Sequence, residues 1–222
     1  MTQPAEVDDD LRAADGRVPG RRGRATRTRL LECTADMLRS TSYRELKVVD
    51  IAREAGTSPA TFYQYFPDVE SAILVLAEEM VAAGAHRFAE IVGETRWRGR
   101  SAHAGALELV DAVIEFWDAH QPVLRVVDLA TDEGDGRFAN VRTRLLNDLN
   151  NNLAAAIAEQ RRAGRVATEI DPSAQAGVLV SMLVHVASHR LGFEFWGVRT
   201  GDLRTSMAHI VTWSVTGGKP QA

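Results

Sequence analysis

A chain of 222 residues, 45% of them hydrophobic and 25% charged, can bury a core of its own and suits one mid-sized unit or a small domain joined to a larger one. Its formal net charge of -4 speaks against a basic coat over the whole surface, and its single cysteine, Cys33, excludes an internal disulfide and fits a reducing compartment. No apolar leader opens the chain and no stretch reads as long and apolar enough to span a bilayer, so a soluble cytoplasmic protein without a membrane partner is expected.

Residues 1–23 mix Asp, Gly, Pro and Arg with few large apolar side chains and should be flexible when free, either as a solvated tail or as a basic arm. Arg17, Arg21, Arg22, Arg24, Arg27 and Arg29 follow one another with no acidic residue between them, which concentrates positive charge at this end. A first helix is expected over about 26–41, with Leu30, Cys33, Thr34, Met37 and Leu38 on a single buried stripe, and Cys33 is therefore a core residue. The next stretch, KVVDIAREAGTSPATFYQYF, spans 47–66. Val48, Ile51, Ala52 and Ala55 form the apolar face of a short helix. Gly56 suits a left-handed turn, and Ser58 and Pro59 supply an N-cap and a first helical residue for a second helix. Two short helices joined by a Gly-containing turn make a helix-turn-helix. The second helix carries Thr61, Tyr63, Gln64 and Tyr65, polar tips that stability does not require.

The run DIAREAG, then TSPATFYQYF, then an acidic start to a new helix resembles the DNA-binding domain of TetR-family transcriptional regulators, over residues 24–77. The resemblance implies an all-α homodimer of about nine helices: a flexible arm (1–23), an N-terminal three-helix helix-turn-helix DNA-binding domain (24–67), and a helical ligand-binding and dimerisation domain (68–222). It implies binding to double-stranded operator DNA and release by a small hydrophobic or amphipathic ligand, with no cofactor and no enzymatic activity. On this reading Thr61 and Tyr63 address base edges and phosphates, Tyr65 and Ser58 phosphates, and Gln64 either, while Phe62 and Phe66 lock the helix to its core. Arg21, Arg22 and Arg24 reach the minor groove or the backbone, and Arg44, Lys47 and Arg53 add charge. Three departures stand out. Ser42-Tyr43 replaces the family's usual Gly-aromatic pair, Lys47 stands where a capping Ser or Thr is common, and Val69 stands where a phosphate-contacting Lys is frequent.

Asp68 reads as the N-cap of a fourth helix over about 68–93. Further helices are expected over about 102–119, 122–131, 136–163, 172–195 and 202–215, with a break at His120-Gln121-Pro122 and a strong start at Asp171-Pro172. The segment AGVLVSMLVHVASHRL is apolar nearly all round, which implies burial toward both its own subunit and a partner. Leu179, Leu183, Ala187, Ile210 and Trp213 are the expected dimer contacts, in a four-helix interface of the kind the family uses. A ligand cavity is expected among Phe116, Trp117, Phe138, Asn147, Asn150, Met182, His185, His189, Phe193 and Trp196, for each of which plain packing or a solvated helix face is the competing account. His185 and His189 stand i, i+4, a spacing that zinc ligands use, but no third ligand is evident, and a buried, bonded pair is expected. Two other functions remain open at this point: a metal-responsive regulator using that pair, and a helical enzyme or adaptor without DNA affinity.

Overall fold

The computed structural model describes residues 20–218 and contains eight α-helices and no strand among them. These are α1 (Arg21–Met37), α2 (Val48–Glu54), α3 (Pro59–Tyr65), α4 (Val69–Glu94), α5 (Gly99–Asp132), α6 (Gly136–Arg162), α7 (Pro172–Phe195) and α8 (Thr200–Thr216), with a single 3-10 turn at Tyr43–Glu45. The chain divides into two compact units. The first holds the residues up to Glu79 together with Pro122–Phe138, and the second holds Met80–Gln121 and the residues from Ala139 onward.

Local chemistry sets most of the helix boundaries. Ser58 Oγ accepts the Thr61 amide at 3.2 Å, and Asp68 Oδ1 and Asp171 Oδ1 accept the Ser71 and Ala174 amides at 2.7 and 2.8 Å, so all three expected N-caps form. Gly56, at φ 69°, closes α2 as the only residue type that takes this conformation without strain, and Thr57 then donates to the Ala52 carbonyl at 2.8 Å. As its sequence suggests, Lys47 at the N-cap of α2 supplies no side-chain cap. Asp50 in its first turn compensates through the helix dipole.

Two boundaries differ from expectation. Helix α1 begins at Arg21, not near residue 26, and ends at Met37: arginine and alanine are good helix formers, and Gly20 is the entry point. Arg21, Arg22 and Arg24 are therefore helical residues, while residues 1–19 of the expected arm lie outside the described residues. Helix α5 runs unbroken through Pro122, where a break was expected, so eight helices replace about nine. Proline forfeits one backbone bond, but Val123, Leu124, Val126 and Val127 directly after it are all buried, and their burial sustains the helix.

In the first unit α1, α2 and α3 pack on one another around Leu30, Ile51 and Phe62, each fully buried. The Arg27 guanidinium, nearly buried, sits 5.5 Å from the Phe66 ring. Cys33 is buried, and its burial pushes the thiol pKa up, away from reactivity. In the second unit α7 packs on α8, and Leu179, Leu183 and Ala187 of α7 are buried, as are Val211 and Val215 of α8. Contrary to the sequence reading, α7 is long and apolar enough by length and composition to cross a membrane, with a mean hydropathy of 1.3 over its best window. A third of that window is buried inside the protein, and the Arg190 guanidinium near its end pairs with Asp118.

Candidate functional site

Helix α3 separates into two faces. Phe62 is fully buried, with its ring tilted against Phe66 at 5.5 Å, on the side of α3 that packs on α1 and α2. The adjacent Tyr63 is 53% exposed, meeting Phe62 only edge-on at 6.0 Å. Gln64 and Ser58 are exposed, and Thr61 and Tyr65 are half-buried. Burying Tyr63 would stabilise the fold, so its outward placement leaves an aromatic ring and hydroxyl for a partner. The expected α3 residues thus lie together on one short helix. Ser58 and Thr61 are partly committed to each other, with their hydroxyls 3.0 Å apart.

Charge frames this face unevenly. Arg21, Arg22 and Arg24 are exposed in the first turns of α1, which contain no acidic residue. Cations there oppose the helix dipole, a mildly unfavourable arrangement that an external anion relieves. Lys47 is exposed and has no ionic partner among the described residues. The other two expected cations are already engaged: Arg53 pairs with Asp50 at 2.7 Å, and Arg44 pairs with Glu133 at the end of α5. The Tyr43 hydroxyl donates to the same Glu133 carboxylate at 3.3 Å. Asp50 is close in sequence to its partner, but Glu133 is not, and no local pattern signals that contact.

Among the expected cavity residues, Phe116 meets Trp117 and Phe193 meets Trp196. Phe116 and Trp117 lie in the second unit, where Phe116 packs on Phe88 at 5.2 Å, on Trp117 at 5.5 Å and on His120 at 4.7 Å. Trp117 is 5% exposed, and its indole N–H meets no acceptor among the described residues. His120, absent from the expected set, joins this cluster, and its burial lowers its pKa so that the neutral imidazole is favoured. Phe138 is buried in the first unit. Asn147 is exposed and its side-chain amide donates to Asp148 at 3.4 Å; Asn150 is half-buried. Phe193 and Trp196 meet edge to face at 6.0 Å near the end of α7, where Trp196 is 74% exposed.

The histidine pair is exposed, not buried as expected. His185 and His189 stack at 4.2 Å with their planes 23° apart, and Nδ1 of His189 lies 2.7 Å from Ser188 Oγ and 3.0 Å from the His185 carbonyl. Parallel rings do not aim two lone pairs at one point, and no group of three metal-ligating side chains gathers among the described residues. The expected dimer contacts split into two sets. Leu179, Leu183 and Ala187 are already covered within the protomer and have no area left to bury. Ile210 and Trp213, both 41% exposed, remain available, as do Met182 and the 67% exposed Val178.

Two concavities accompany these elements. In the second unit a groove of about 620 Å³ follows α5 past Leu107, Glu108, Asp111, Glu115 and Phe116. Arg87 spans to Glu108 at 2.9 Å and Arg204 pairs with Asp111 along it. In the first unit a smaller pocket, about 300 Å³, lies between residues 38–43 and the last turns of α5.

Sequence comparison agrees with this arrangement along the chain. A family described as "Tetracyclin repressor-like, C-terminal domain" matches residues 88–222, more than half of the chain, and "Bacterial regulatory proteins, tetR family" matches residues 30–71. An uncharacterised HTH-type transcriptional regulator of Bacillus subtilis, YdgC, is 22% identical over 201 residues, 90% of this chain and 96% of that protein. Among solved structures, the fatty acid degradation regulator FadR of Bacillus halodurans superposes with a TM-score of 0.64 at 16% identity, over 92% of this chain and 100% of that one. FadR of Bacillus subtilis, solved in complex with stearoyl-CoA, gives 0.63 at 15% identity, over 86% and 98%. At these identities the structural likeness concerns the fold.

Proposed function

The chain belongs to the TetR family of bacterial transcriptional regulators, which are not enzymes, and from that premise we propose that it is a repressor that grips operator DNA as a homodimer and lets go when a small apolar ligand binds. The observation that carries the DNA half of this reading is the exposed face of α3, where Tyr63 stands outside a helix anchored by a fully buried Phe62. Thr61, Tyr63 and Gln64 present hydroxyl, amide and ring edges to the major groove. Arg21, Arg22, Arg24 and Lys47, with Ser58 and Tyr65, take the phosphates. No Arg or Lys lies on α3 itself, so affinity depends on those flanking cations and specificity on neutral contacts and thymine methyls.

Val178, Met182, Ile210 and Trp213 leave apolar area open on α7 and α8, which supports pairing of two protomers through these helices. In the DNA-competent dimer the two copies of α3 stand roughly 34–36 Å apart, one helical turn of DNA. A ligand acts by binding better to a conformer with another spacing, and its differential affinity sets how far DNA binding falls. The buried Trp117 N–H, which meets no acceptor among the described residues and lies next to the Phe116 ring, supports a ligand that offers an acceptor oxygen beside an apolar body. The stearoyl-CoA complex of a structural neighbour makes long-chain acyl-CoA the first ligand to try.

The test is a titration of the full chain against DNA from upstream of its own gene, with excess unrelated duplex and a salt series. Retention against competitor, followed by release on adding acyl-CoA or another apolar compound, supports the reading. Failure to retain that DNA and any member of a random-sequence selection overturns it. Sedimentation of Trp213→Glu reads the interface: the wild type should sediment as a dimer and the variant as a monomer.

A further inference from the structure

We infer that the first unit carries a second ligand site, distinct from any cavity in the second unit, that takes a compact organic acid. The pocket of about 300 Å³ there is lined by Leu38, Arg39, Ser40, Thr41, Ser42 and Tyr43 on one side and by Pro122, Arg125, Val126 and Leu129 on the other. Its floor is apolar. Leu38 and Val126 are buried at 8% and 3% exposure, and Leu129 and the ring of Pro122, which has no N–H to solvate, extend that surface outward.

The rim is positive and rich in donors. Two arginines line the pocket and no carboxylate does. Arg125 has no ionic partner among the described residues, and Arg39 has only a long contact with Asp36 at 3.6 Å. Glu133, the carboxylate that the Tyr43 hydroxyl meets, is paired with Arg44. The Thr41 and Ser42 hydroxyls have no partner among the described residues, and the Ser40 hydroxyl reaches the Met37 carbonyl only at 3.5 Å. A guanidinium with no partner beside unengaged hydroxyls suits a carboxylate, which accepts two N–H bonds from one arginine and others from hydroxyls. The volume lies at the small end of ligand sites, which fits an aryl or short alkyl acid and leaves no room for a long acyl chain. The site spans two segments far apart in sequence, so a bound acid ties the connection between α1 and α2 to the last turns of α5.

Calorimetric titration of the full chain with 4-phenylbutyrate tests this, with 4-phenylbutanol as the uncharged analogue of the same shape. The acid should bind with submillimolar affinity and about tenfold more tightly than the alcohol, since the difference is one charge-assisted pairing. Arg125→Gln should weaken the acid about tenfold and leave the alcohol nearly unchanged. Leu129→Asp should remove binding of both, and Trp117→Phe, in the other unit, should change neither. Arg125 and Leu129 are surface positions, and a thermal melt of each variant confirms folding. Absence of binding by phenylbutyrate, benzoate and hexanoate at millimolar concentration overturns the assignment. So does binding that Arg125→Gln and Leu129→Asp leave intact, or that Trp117→Phe removes. None of these outcomes depends on DNA binding, so the proposal stands or falls apart from the regulator reading.

Discussion

The ring of Phe116 lies where a side chain on Gly84 would begin: a Cβ built on that glycine overlaps the ring's Cε2 and Cζ and crowds a Leu145 methyl. Phe116 cannot swing aside cheaply, because Phe88, Trp117 and His120 pack around it at 5.2, 5.5 and 4.7 Å. Gly84→Ala would gain up to about 1 kcal/mol of helix propensity in α4 and lose about 1–3 kcal/mol to overpacking. The expected outcome is net destabilisation of about 1–2 kcal/mol in chemical denaturation. A stabilised variant would mean that the ring relocates freely and that the close approach is not a constraint.

Tyr63→Ala should cost little stability, since the ring is 53% exposed, yet reduce operator affinity by roughly 1–3 kcal/mol, the worth of one good base-edge contact. Paired titrations against operator and unrelated duplex read the effect. The loss should appear on the operator and not on the unrelated DNA. An equal loss on both would reassign Tyr63 to the phosphates.

Arg21, Arg22 and Arg24 sit in the first turns of α1 with no acidic neighbour in that turn, so they gain little from the fold and much from an external polyanion. Each arginine changed to Ala should lower the slope of log K against log salt concentration by about 0.9 if it neutralises one phosphate. The triple variant should bind weakly at every salt concentration while melting no lower than the wild type. An unchanged slope would place these side chains away from the backbone.

Signals carried by neighbours along the chain were legible before the structure. Ser58-Pro59, Asp68 and Asp171-Pro172 all start helices because a cap and its amide lie three residues apart, and Gly56 ends one because its conformation is local. Pro122 misled for the opposite reason: the burial of Val123, Leu124, Val126 and Val127, which keeps α5 whole, is a tertiary fact. Helix α7 is apolar nearly all round, so periodicity could not say which side faces its own core. Leu179, Leu183 and Ala187 turned inward and left Val178 outside. Sequence identifies cavity residues only by type, whereas a cavity depends on how distant segments meet. That is also why Arg39 and Arg125, 86 positions apart by subtraction of their numbers, gave no sign of sharing a pocket.

Acid should weaken the fold through two histidines. His103 lies against His209 at 4.5 Å with the rings tilted by 30°, its Nδ1 is 3.4 Å from Thr212 Oγ1, and burial first, then His209 and Arg204, lowers its pKa. His120 is lowered by burial in the Phe116 cluster. A folded-state pKa below the unfolded one means that the unfolded chain takes up protons first as the pH falls. Their contribution is therefore complete above about pH 6.5, the ordinary histidine value, and is lost progressively as the pH drops toward the lower folded-state values. Denaturation midpoints between about pH 8 and pH 5 should decline for the wild type, and less steeply for His103→Gln and His120→Gln, each of which removes one titrating group. A decline of the same steepness in both variants would show that other groups, the carboxylates foremost, govern the acid limb.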